Sequence, residues 1–216
     1  MGSWRTLNNM KSVLADLHYY PSLEFFTAIL DSDNLLFLPS DRYQRQSFFN
    51  RCQIRLANKV ETLSVPIVGG RPKISQSAIR IDYEQNWEKV HLRGIQSAYG
   101  KAPFYEFYFP YFESIYKKKH EFLWDLNWEI MTICLKLLGL PVKMGMLNEE
   151  HYSSEIYDIR HRISPSTSFL TQDFYQSKPY FQLFGADFDP NLSVMDLLFC
   201  EGLASKSILI NSAKKD

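Results

Sequence analysis

The chain has 216 residues, enough for one domain with a full core. Hydrophobic residues make up 45% and charged residues 22%, an ordinary globular balance, and a formal net charge of zero removes long-range attraction as an argument for nucleic acid or an acidic membrane. Cys52, Cys134 and Cys200 stand far apart with no CxxC pair, which argues against a disulfide framework and a cysteine-based zinc site. The expected setting is a reducing cytoplasm, since there is no signal-peptide pattern and no apolar run long enough to span a bilayer. The unusual number is the aromatic share of 15%, with 13 Tyr and 16 Phe: rings with polar tips suit the wall of a ligand cleft or an interface, and equally a core built from rings.

Residues 1–9 look unlike the rest of the chain, and Met10 reads as a second start, so one domain over 10–216 is expected behind a disordered or over-long N-terminus. Val13–Tyr19 reads as a buried strand, broken by Pro21. LEFFTAIL (23–30) supplies a short helix, and Leu35–Leu38 a second apolar strand. Strand, helix, strand in this order predicts a parallel βαβ pair and places His18 at the carboxyl end of the first strand, where open α/β sheets bind their ligands. Residues 47–68 read as a short helical or turn piece and then a hairpin about Asn58–Lys59, and Gly69–Lys73 as a loop. Ala78–Asp82 is a candidate strand.

The clearest element is 87–99. Trp87, His91, Ile95 and Ala98 recur at helical spacing, Gly100 is a natural stop, and Pro103 prevents continuation. An aromatic segment (104–112) leads to a helical region over 114–140, with Leu123, Leu126, Ile130, Ile133 and Leu137 as its apolar stripe and Gly139 at its end. Val142–Leu147 is another strand candidate, 148–178 a loop-rich insert, and 179–185 a last strand candidate. Residues 189–202 read as a helix capped by Asn191 or Ser193 and ended by Gly202. The fold class is α/β or α+β: one domain, a short mixed β-sheet with packed helices, in an order similar to that of nucleotidyltransferases. The second histidine of an HxGH motif and a Gly-rich phosphate loop are both missing.

Four segments in this order and spacing, LHYYPSLEFF (17–26), SFFNRCQIR (47–55) with LSVPI (63–67), WEKVHLRGIQSAYGKAPFYEFY (87–108) and PNLSVMDLLF (190–199), resemble the WbqC-like family. The HYYPS form and the late PNLSVMDLLF are similar to its shorter members in Bacteroidetes-type bacteria. Longer members usually carry a glutamine where this chain has Tyr19, and a longer segment before the final helix. The family takes its name from O-antigen gene clusters, so the resemblance implies a role in surface polysaccharide or related metabolite assembly. It places the family's recurrent positions at His18, Pro21, Asn50, Arg51, Trp87, His91, Tyr99, Pro103, Asn191 and Asp196.

Several of these residues have both a chemical and a structural reading. His18 can meet the reacting group of a ligand, or hydrogen-bond nearby backbone. His91, on an apolar helix face, is a base if it faces a cleft and a satisfied core residue if it does not. Asn50 beside Arg51 can hold a carboxylate or phosphate, or Arg51 can pair with Asp196 or Asp16. Asp196 needs a partner wherever it is buried and can orient a histidine. Asn191 is a helix cap or a ligand contact, and Tyr99 a pocket wall or core. His151 and His161 are ten apart in the loop-rich stretch, which is not metal-ligand spacing, and no metal is expected.

Together these residues point to a transferase moving an acyl, aminoacyl or nucleotidyl group onto an amino-sugar-like small molecule. His18, His91 and Asp196 do the chemistry, and Asn50, Arg51, Tyr99 and Asn191 hold the substrate. The alternative is a non-catalytic binding or assembly protein using a Tyr-rich face. The sequence names no cofactor and no oligomeric state.

Overall fold

In the computed structural model, residues 12–69, 74–148, 150, 152–185 and 187–214 are described; the expectations for 1–9 and Met10, and most of the 69–73 loop, lie outside them. The central element is β1 (Ser12–Leu14), shorter than the strand expected over 13–19. It pairs in parallel with β2 (Asn34–Phe37) on one side and with β6 (Ile156–Asp158) on the other, and β2 pairs in parallel with β5 (Lys143–Met146). The order is β5-β2-β1-β6, so this sheet is parallel throughout rather than mixed. All four carboxyl ends therefore lie along one edge. The antiparallel pair, β3 (Arg51–Arg55) with β4 (Val60–Ser64), forms a separate two-stranded hairpin at the expected turn.

Between β1 and β2 runs α1 (Leu23–Ile29), buried along its whole length. Its apolar side chains leave no face for water, and Glu24 and Thr27 are enclosed with them. Its first turn is satisfied from far along the chain: Asn191 Oδ1 accepts from Glu24 N at 2.8 Å, and Leu23 N donates to Leu192 O at 3.1 Å. Helix α2 (Trp87–Tyr99) buries Trp87, His91, Ile95, Ala98 and Tyr99, as the spacing predicts. It lies close on the hairpin at Gly94, where a Cβ would stand 3.4 Å from Leu63 and 3.8 Å from Ile54.

Two helices occupy what reads as an aromatic segment followed by one helical region: α3 (Tyr105–Lys117), with Pro110 inside it, and α4 (Leu123–Leu138). They are separated near Lys119, at φ 49°. Gly139 ends α4 in the left-handed conformation, at φ 63°, with Leu140 N bonded back to Leu135 O. Ala78–Asp82 is not a ladder strand. A 3₁₀ turn (Gln76–Ala78) leads into single bridges from Arg80 to Phe122 and from Ile81 to Ile67. The stretch 179–185 is likewise irregular, and the loop-rich 148–178 contains β6. The chain closes with α5 (Val194–Glu201), whose N-cap Ser193 accepts from Met195 N, and α6 (Ser205–Ser212), a helix beyond the last one expected. No helix among the described residues is long and apolar enough to cross a membrane.

Candidate functional site

The loops leaving the parallel strands turn over the carboxyl edge of the sheet and enclose a cleft. After β1 the chain alternates, with Leu17 turned into the core and Asp16 and His18 lining the cleft. After β2 come Ser40, Asp41 and Arg42, after β5 Leu147, and after β6 Arg160 and His161. The strand order reverses between β1 and β6, which is where ligand crevices form in such sheets. The outer lobe holds about 540 Å³ and is lined by Leu38, Ser40, Arg42, Tyr152 and Arg160, with Asp41. Gln44 belongs to both this lobe and a narrow inner end formed by Asp16, His18, Ser47, Gln76 and His161.

Local hydrogen bonding aims these side chains. Asp158 Oδ1 accepts from Arg160 N at 2.9 Å, a tight turn off the strand end, and the same carboxylate grips the Arg160 guanidinium. Arg160 Nη1 reaches on to Asp41 Oδ2 at 3.1 Å. His161 follows at φ 62°, and its N–H donates to Asp16 Oδ2 at 2.6 Å. The imidazole thereby stands between two carboxylates, with Nδ1 3.4 Å from Asp16 Oδ1 and Nε2 3.6 Å from Asp41 Oδ2, while Gln44 Nε2 is 3.0 Å from Nδ1. Its side chain keeps 42% exposure. Burial pushes the Asp16 carboxyl above the usual range and the neighbouring Asp41 adds to the rise, against the opposing pull of His161. His18 is buried against Phe25 and Phe48, with ring centroids at 4.9 and 5.4 Å. Burial lowers its pKa to about 3, so the ring is neutral, and nothing among the described residues bonds its Nδ1.

Of the residues given a catalytic or substrate-binding role from the sequence, His18 alone lines this cleft. His91 lies in the core, its Nδ1 2.7 Å from the Tyr19 hydroxyl, which is 2.6 Å from that of Tyr116. Burial lowers its pKa to about 4. Asp196 is partnered by neither a histidine nor Arg51: Oδ2 accepts from Tyr180 Oη at 2.6 Å and Gln182 Nε2 at 2.9 Å, and burial raises its pKa. Asn50 donates to Val65 O at 3.0 Å and so fastens the hairpin, and Arg51 opens β3 beside it. Tyr99 is buried on Phe199, and its hydroxyl accepts from Arg55 N at 3.4 Å. Asn191 caps α1 and donates Nδ2 to Glu24 Oε2 at 3.1 Å.

Asp41, Gln44 and Arg160 go unnoticed in the sequence, Asp16 is read there only as a partner for Arg51, and His161 only as half of a pair without metal-ligand spacing. The usable signal is positional: each stands just beyond a strand, and the rule that places His18 extends to 39–44 and 158–161.

A model described as the WbqC-like protein family matches residues 17–163, which takes in every cleft residue named above except Asp16. No curated protein and no solved structure matches the chain. Since the match takes in more than half of the 216 residues, the chain belongs to the WbqC-like protein family.

Proposed function

We propose that this protein is a group transferase of bacterial surface polysaccharide or related metabolite assembly, and that it works in the cleft at the carboxyl edge of the sheet. The observation that carries the reading is convergence. Loops leaving all four parallel strands contribute to one concave opening, and three of them supply Asp16, Asp41 and His161 to a single cluster. The wide lobe, with Arg42 and Arg160 at its wall, seats the donor by its anionic group. The narrow end receives the acceptor's amine or hydroxyl, which donates a hydrogen bond to the Asp16 carboxylate and gives up its proton there as its nitrogen or oxygen bonds to the transferred group and the donor's bond to its anionic leaving group breaks, that group staying on Arg42 and Arg160. His91 and Asp196 have no part in this reading, being paired within the core.

The experiment is a thermal-shift screen of nucleotides, nucleotide sugars and acyl-CoA donors against the wild type, Arg42→Ala and His161→Ala. A ligand in excess over its Kd raises the melting temperature by mass action. One donor class is expected to stabilise the wild type and to lose that effect in Arg42→Ala. Equal shifts in wild type and variants, or no shift with any class, overturn the reading.

A second reading, a non-catalytic binding protein, draws on one observation: Phe107, Tyr111 and Leu203 are exposed, at 70, 42 and 88%. It places the working surface on α3 and the start of the last helical segment and predicts that Phe107→Asp, not Arg42→Ala, removes function.

A further inference from the structure

The narrow end of the cleft assembles donors of one kind. Asp16, Asp41 and His161 each present an atom within 4.8 Å of the others. The set is two carboxylates and an imidazole, without a thiolate. His161 keeps one nitrogen 3.4 Å from Asp16 Oδ1 and the other 3.6 Å from Asp41 Oδ2. Two donors each about 2.1 Å from one tetrahedral ion stand roughly 3.4 Å apart, so either edge accommodates an ion after a small rotation of the ring. The ring ligates through one nitrogen only, and the other, carrying its proton, donates to the facing carboxylate, the outer hydrogen bond that fixes a metal-bound imidazole.

An independent observation comes from His18. Its side chain is 2% exposed, it lines the same narrow end, and its Nδ1 has no partner among the described residues. A buried nitrogen without a partner is costly, and it is retained where something else meets it. Charge points the same way: Asp41 and Asp158 share the guanidinium of Arg160, and among the described residues Asp16 makes its one ion-pair contact with the imidazole of His161, its other partners being the neutral His161 N–H and Gln76.

We propose that this end of the cleft is a divalent transition-metal site, with Asp16, Asp41 and His161 as ligands and His18 Nδ1 meeting a water bound to the ion. Imidazole mixed with carboxylate suits zinc, manganese, iron or nickel, whereas calcium and magnesium take oxygen donors. The proposal deepens the transferase reading and rests on it in one respect, that the ion would take up the acceptor's amine or hydroxyl at the narrow end and ease the loss of its proton. Binding itself does not depend on it.

The test uses the full chain, stripped with chelator and titrated with Co²⁺, whose visible absorption reports coordination, and then with Zn²⁺ in competition. Expected is one Co²⁺ per chain, displaced by Zn²⁺, with affinity at least about tenfold weaker in Asp16→Asn and in His161→Gln and unchanged in His91→Gln. No cobalt spectrum, or the same binding in Asp16→Asn and His161→Gln as in the wild type, overturns the site. His161 is half exposed, so His161→Gln decides should Asp16→Asn fail to fold. Loss of cobalt binding with the donor-induced thermal shift intact removes the metal and leaves the transferase reading; the reverse result removes the transferase reading and leaves the metal.

Discussion

Tyr19, His91 and Tyr116 form one polar group inside this protein; Asp16, Asp41 and His161 form another. Both contain a histidine grouped with two oxygen-bearing side chains. In the first, the histidine is 3% exposed, the hydrogen bonds linking the three side chains are 2.7 and 2.6 Å long, and Trp87 covers the ring at 5.1 Å. In the second, the contacts are looser, the histidine is half open, and a partnerless imidazole nitrogen stands nearby. Buried polar groups that are fully paired specify a core. Polar groups left short of partners at the mouth of a cleft are available to something else. Residue type alone does not separate the two cases, because both groups draw on the same loop after β1.

The largest expected effect is in the closed group. His91→Ala removes a buried ring and deprives the Tyr19 hydroxyl of a partner, and it should lower unfolding free energy by about 3 kcal/mol in urea titration while leaving the cleft's ligand response unchanged. A loss of ligand response in a folded His91→Ala would break the comparison.

Glu24 lies between the two cases and sharpens them. It is 2% exposed, one carboxylate oxygen is bonded to Asn191 and the other has no partner among the described residues, and burial raises its pKa from 4.5 to about 7, against the pull of Asn191 and Arg162. The unfolded chain releases this proton near pH 4.5 and the folded chain near 7, so folding loses free energy as pH rises through that window. Glu24→Gln should be more stable than the wild type by about 2 kcal/mol at pH 8, with the gain vanishing below about pH 4.5. His91 acts in the opposite sense. Its folded pKa of about 4, like the value of about 3 for His18, lies below the ordinary 6.5, so both histidines lower stability as pH drops from 6.5 toward 4. The two slopes partly cancel in the wild type, and Glu24→Gln should expose the histidine slope as a steeper loss between about pH 6.5 and 5 in urea midpoints.

The smallest effect on stability belongs to the open group. His161→Ala should change unfolding free energy by no more than about 0.5 kcal/mol, in keeping with a half-exposed side chain. A cost of several kcal/mol would make His161 a structural clamp and bring the two groups into one class.

How much of this was readable in the sequence depends on where each signal lives. Helix α2 is legible because Trp87, His91, Ile95 and Ala98 alternate with charged residues at one period. Helix α3 is not: FYEFYFPYF carries a ring at nearly every position, so its burial at Phe112, Ile115 and Tyr116 has no contrast, and Pro110 argues against the helix that forms. Packing overrides that objection, with Phe112 edge-on to Phe199 at 5.5 Å. β6 is three residues long in polar surroundings and is a strand only because β1 offers it a partner. The reverse holds for 179–185, a strand candidate in the sequence, whose Tyr180 is turned to Asp196. Within the site, His18 is legible from its position after a strand. Asp16 and His161 are 145 residues apart, and only the sheet brings them together.

The cap on α1 has a consequence for synthesis. The helix is made early, yet its first amides are satisfied by Asn191 and Leu192, near the opposite end of the chain. A chain emerging from the ribosome reaches residue 191 long after residue 24, so the first βαβ unit waits with its helix start unsealed until translation is nearly done. Folding is therefore closed from the far end inward, and a nascent chain arrested before Asn191 should remain open to protease at the Pro21–Glu24 turn while a chain arrested after α5 is protected.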